Sequence, residues 1–152
     1  LGETGIGATV TLWGVFAALG VLTGGVLNDC LGANRVVRAA LVLLAASFWL
    51  MAGATMLEPG TAQWPVMLAV AVWGFSVWAF FPAQMAKLIA VGPAPQAPVA
   101  LSLNTSTMYL GFSIGSALGA GILHTGALWG IGLLAGLSEL AALWLAAGRS
   151  RD

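Results

Sequence analysis

The chain has 152 residues, of which 60% are hydrophobic and 7% charged, and its five basic and five acidic side chains cancel. A mean hydropathy of +0.98 excludes a soluble domain, where roughly a quarter of residues are charged, and zero net charge removes the electrostatic argument for binding nucleic acid. One cysteine, Cys30, and one histidine, His124, leave no internal disulfide and no zinc site built from paired ligands. Neither metal nor cofactor is expected, and Cys30 reads as a small inert side chain.

Five apolar stretches follow in order, at residues 8–27, 36–57, 64–91, 98–123 and 127–147. Each is near or above the ~20 residues that cross a hydrocarbon core, and all are too long for the ~10-residue strands of a membrane barrel. The expectation is an all-α integral membrane protein, one transmembrane domain over residues 1–152, with the lipid bilayer as its first partner. The joining segments, 28–35, 58–63, 92–97 and 124–126, are short, so successive helices run antiparallel. Arg35, Arg38, Lys87, Arg149 and Arg151 all fall on one side of such a bundle. The positive-inside rule makes that side cytoplasmic, with the N-terminus outside and the C-terminus inside. Trp64 and Trp129 at the outer ends of their spans, and Trp144 near the inner end of the last, suit an aromatic belt. His124, at the outer end of the fourth span, reads as a solvated loop residue.

The third stretch contains Pro82, where a kink is expected because proline removes a helical hydrogen bond and crowds the preceding turn. At 100° per residue, Trp73, Ser76, Phe80 and Gln84 share a face. That stripe of rings and one amide suits an amphipathic or aromatic ligand, and it equally suits ordinary helix packing.

The fourth stretch has two distinct sides. Ser102, Thr105, Ser106, Tyr109, Ser113 and Ser116 fall on one, and Gly111, Gly115 and Gly119 on the other. Glycines spaced by fours let helix backbones approach within a membrane, whereas the hydroxyl side calls for a partner helix or an aqueous cavity. In the fifth stretch Glu139 is the one ionisable residue deep inside a span. Unpaired, it costs on the order of 2.5–3.5 kcal/mol on insertion scales. Two readings stand: a group that titrates during transport, or a neutral carboxyl hydrogen-bonded to Ser138 or a neighbouring helix.

Two segments carry a resemblance. Residues 24–35, GGVLNDCLGANR, resemble the cytoplasmic-loop signature G-x-x-x-D-R-x-G-R-R of the major facilitator superfamily. Gly25, Asp29, Gly32 and Arg35 match, and Cys30, Ala33 and Asn34 depart from the usual basic residues. Residues 94–97, then Leu101 to Ser106, Tyr109 to Gly111 and Gly115 to Gly119, are similar to the eleventh helix of arabinose-efflux-permease-like carriers in the twelve-span drug:proton antiporter group. The resemblance implies that the five spans are helices eight to twelve of such a carrier. It implies an inner-membrane efflux protein that exchanges protons for a small amphipathic or sugar-like solute by alternating access. Trp73, Ser76, Phe80, Gln84, Thr105, Tyr109 and Ser113 would then line the substrate path. The N-terminal half and the seventh helix would be missing partners, and the chain alone would be inactive. The start at Leu1, with no basic leader before the first span, agrees with a fragment.

Two other classes compete. A membrane-embedded assembly subunit would use the glycine ridge to bind another protein and would need no ligand. An intramembrane enzyme lacks an inventory, since the sequence has no H-E-x-x-H, no G-x-S-x-G and no carboxylate pair within a span.

Overall fold

The computed structural model describes residues 3–90 and 92–148. Five α-helices account for nearly all of them: α1 (Glu3–Leu31), α2 (Ala33–Ala54), α3 (Pro59–Ala90), α4 (Ala97–His124) and α5 (Leu128–Gly148), with one 3₁₀ turn at Ala94–Gln96. No strand occurs among the described residues. All five helices are long and apolar enough to span a membrane, the make-up of a multi-pass membrane protein.

The helix ends depart from the apolar stretches, because hydropathy marks the part that suits lipid while helical hydrogen bonding continues beyond it. α1 starts at Glu3 and runs through Asn28, Asp29 and Cys30. The expected eight-residue connection at 28–35 contracts to one residue, Gly32, whose φ of 82° a side chain would resist. The Gly32 N–H donates to the Asn28 carbonyl at 2.9 Å. α2 stops at Ala54, three residues before the apolar run ends. α3 begins at Pro59, where the missing N–H costs no helical bond, and the helix continues through Pro65 and Pro82. Gly126, with φ 76°, turns the chain from α4 into α5.

α3 is the centre of the bundle. One side of it meets α1 along a parallel seam in which Gly74 backs onto Trp13 and Gly24 onto Ala79 and Pro82. Another side meets α2 in antiparallel fashion. There Val36, Val37 and Leu41 of α2 pack with Ala83 and Phe80 of α3, and with Ala142, Leu143 and Ala146 of α5. α5 lies along the far side of α2, antiparallel to it. In cross-section the order is α1, α3, α2, α5, and α4 only touches α3 and α5.

Small residues make these seams close. A Cβ built on Gly20 would run into the Phe75 carbonyl, and one on Gly24 would come within 2.9 Å of the Ala79 Cα. On α5, a Cβ at Gly132 would lie 2.5 Å from the Phe48 carbonyl oxygen, and one at Gly136 would overlap the Trp49 indole. Backbones that approach this closely gain dispersion contacts, the main source of helix association where lipid supplies no hydrophobic drive.

Alternation of direction puts the Gly32 turn, the connection before α4 and the C-terminus of α5 at one end of the bundle. Arg35, Arg38 and Lys87 therefore share that end, as the cation pattern anticipated; Arg149 and Arg151 lie outside the described residues.

Candidate functional site

The residues singled out in the sequence divide between two surroundings. On α3, Ser76 and Phe80 lie on the side turned to α2, and Trp73 sits between α1 and α2. Its ring centroid is 5.8 Å from that of Trp13 and 6.2 Å from that of Phe48, with tilted planes in both pairs. Trp78 extends the cluster, 6.5 Å from Trp13 and 6.3 Å from Phe81. Tilted pairs at this range are the favoured aromatic geometry, worth ~0.5–1.5 kcal/mol each beyond the area they bury. Ser76 is 0% exposed, and its hydroxyl has no hydrogen-bond partner, a state shared by the Trp13 indole N–H. Gln84, one turn beyond Phe80, is half-buried.

α4 is the opposite case. It has no buried residue, and Ser102, Thr105, Ser106, Tyr109, Ser113 and Ser116 are all exposed. The half-buried positions of α4, Ala97, Ala100, Leu101, Asn104, Met108, Gly119 and Ile122, fall on the other side of the helix by angular count. The hydroxyl face is thus turned away from the other four helices. Four of its six hydroxyls donate within the helix: Ser102 to the Pro98 carbonyl at 2.9 Å, Thr105 to Leu101 at 3.0 Å, Ser106 to Ser102 at 3.1 Å and Ser113 to Tyr109 at 3.0 Å. Such back-bonding keeps each donor paired and leaves lone pairs of the oxygen facing outward. Tyr109 is 61% exposed and meets Phe112 edge-on at 6.0 Å.

The structure therefore does not bring the α3 stripe and the α4 hydroxyl face to a common cavity. Gly111, Gly115 and Gly119 overlook α5 across a groove of about 410 Å³ that Ile131, Leu134, Ala135 and Ser138 close from the other side. No atom lies within 4 Å of a Cβ built on any of the three. The glycines that meet a neighbouring helix closely along the α1–α3 and α2–α5 seams are instead Gly20, Gly24, Gly74, Gly132 and Gly136, and near the α4–α5 turn a Cβ on Gly130 would lie 3.0 Å from the Ile122 side chain. Sequence reasoning passed over these, although Gly20-x-x-x-Gly24 and Gly132-x-x-x-Gly136 carry the same spacing signal.

Glu139 is half-buried and shares a face of α5 with Gly132, Gly136 and Leu143, the side that packs on α2. Among the described residues none hydrogen-bonds or ion-pairs with its carboxyl. The Ser138 hydroxyl donates instead to the Ala135 carbonyl at 2.7 Å.

In the α1–α2 turn, Gly32 has the left-handed conformation that explains its glycine. Gly25 has open space where a side chain would go, and it is Gly24 that lies against α3. Asp29 and Arg35 are both exposed. No family model matches the sequence, and no solved structure matches the fold.

Proposed function

We propose that this chain is part of a membrane transporter, the portion corresponding to the last five helices of a major-facilitator-like carrier. Its activity would be proton-coupled efflux of a small amphipathic or sugar-like solute across the bacterial inner membrane by alternating access. The observation that carries the reading is α4. A spanning helix with six hydroxyl-bearing residues on one face and no buried residue is ill matched to lipid on that face, and it suits the wall of an aqueous path completed by helices beyond these five. Resemblance of the Gly32 turn and of α4 to the two family segments adds the expected register. On this reading the chain alone does not transport.

The alternative is an assembly subunit without transport activity, for which the unfilled ridge of Gly111, Gly115 and Gly119 would be the contact. Proteoliposomes distinguish the two. The complete open reading frame that contains this chain should export a fluorescent amphipathic dye when a pH gradient is imposed, and the five-helix chain alone should not. Dye flux that ignores the gradient, or a complete frame with no flux at all, would overturn the transporter reading.

A further inference from the structure

The seam between α2 and α5 sets a ring donor beside a carboxyl. At Gly136 the Trp49 indole of α2 lies against the α5 backbone, and the ring atoms nearest to a Cβ built there are Nε1, Cδ1 and Cε2, the N–H edge of the indole. Glu139 stands three residues further along the same face of α5 and is half-buried. Positions i and i+3 of a helix hold their Cβ atoms about 5–6 Å apart, and a helical side chain leans back over the turn N-terminal to its own Cα. A Glu139 side chain in that direction brings its carboxyl to the N–H edge of the ring. Neither group has a hydrogen-bond partner among the described residues. The packed elements offer no nearer donor. On α2 the Ser47 hydroxyl donates to the Leu44 carbonyl at 2.8 Å, and Arg35 and Arg38 belong to the stretch that packs with Ala142, Leu143 and Ala146, beyond Glu139 toward the C-terminus. On α4 the residues facing α5 are glycines, isoleucines and a leucine.

We infer that the Trp49 indole N–H is the hydrogen-bond donor to the Glu139 carboxyl, a positioning contact that ties α5 to α2 in the middle of the span. A carboxyl oxygen accepts from it whether the group is ionised or neutral, and in an apolar span the unmade bond costs both partners. Rotation about side-chain bonds closes it, and Trp49, 40% exposed, has room to turn. Gly136 then serves more than close packing, because it lets the donor edge of the ring reach the surface of α5. The inference gives Glu139 a partner other than Ser138 and does not depend on the chain being a transporter.

The test uses the full chain in detergent micelles with its tryptophans labelled with nitrogen-15. Each of the seven tryptophans gives one indole N–H resonance, and Trp49→Phe assigns that of Trp49 by its loss. Glu139→Leu should shift this resonance upfield, because a hydrogen-bonded proton is deshielded. Glu139→Gln keeps an accepting carbonyl and should leave it nearer the wild-type position. Thermal unfolding supplies a second reading. Trp49→Phe should lower the melting temperature by about 2–4 °C more in the wild-type chain than in a Glu139→Leu background, the difference expected for one net hydrogen bond in a chain of this size. A Trp49 resonance unmoved by Glu139→Leu, or displaced equally by the two substitutions at Glu139, overturns the bond. An equal fall in melting temperature in the two backgrounds does the same.

Discussion

α3 and α4 are both long apolar helices with a stripe of small or polar residues along one side, yet their surroundings share almost nothing. α3 buries Ala69, Val70, Ala71, Gly74, Ser76, Ala79 and Ala83 between α1 and α2. α4, only four residues shorter at 28 against 32, buries none. Local sequence is not what separates them. Gly111, Gly115 and Gly119 have the spacing of a packing ridge as plainly as Gly20 and Gly24 do. The first three overlook a groove, and the second two meet the α3 backbone. A glycine ridge is a permission for close approach; whether it is used depends on a partner that is remote in sequence.

Substitution at the used glycines should break this contrast most severely. Gly20→Leu or Gly24→Leu places a side chain where the backbone of Phe75 or Ala79 already stands. A loss at or beyond the upper end of the ~1–3 kcal/mol typical of overpacking is expected, seen as a lower melting temperature in detergent and less folded protein. A melting temperature equal to wild type would contradict the α1–α3 seam.

Trp73→Ala comes next. It removes the ring contacts with Trp13 and Phe48, each worth roughly 0.5–1.5 kcal/mol, and should lower thermal stability by about 1–3 kcal/mol. The same substitution in the complete reading frame bears on the substrate path. Unchanged solute selectivity there, and again with Tyr109→Ala, would remove both residues from the path.

Glu139→Gln relieves some of the cost of carrying a carboxyl in a spanning helix, on the order of 2.5–3.5 kcal/mol for an acidic residue on insertion scales. Melting should hold steady or rise slightly. Proton-driven efflux that persists unchanged in a complete carrier bearing this substitution would discard the titrating role.

The smallest effect is expected from Gly115→Leu, since a Cβ at that position meets nothing within 4 Å. In the isolated chain its stability should stay within about 0.5 kcal/mol of wild type, as for surface positions generally. A large loss confined to the complete reading frame would show that the ridge packs against a partner beyond the five helices.

These contrasts mark what a single sequence could disclose. The number of spans and their helical nature follow from runs of apolar residues too long to be strands, and the five helices agree with that reading. Their ends were less legible. Hydropathy is blind to Asn28, Asp29 and Cys30 continuing α1, and to Gly32 alone making the turn. Angular spacing placed Trp73, Ser76 and Phe80 on one face of α3, but nothing local to α3 could name Trp13 and Phe48 as their neighbours. On α4 the two sides were legible as sides. Which of them faces the bundle is a tertiary fact, and in the structure it is the glycine side, across an open groove.

The central claim is that the hydroxyl face of α4 meets water rather than lipid. The most direct measurement is labelling by a membrane-impermeant maleimide, in cells that express the complete reading frame with Cys30→Ser as background. Ser102→Cys, Thr105→Cys, Tyr109→Cys and Ser113→Cys should label, and Leu103→Cys, Leu110→Cys and Ile114→Cys should not. Equal protection of both sets would place the hydroxyl face in lipid or in a dry interface and contradict the account.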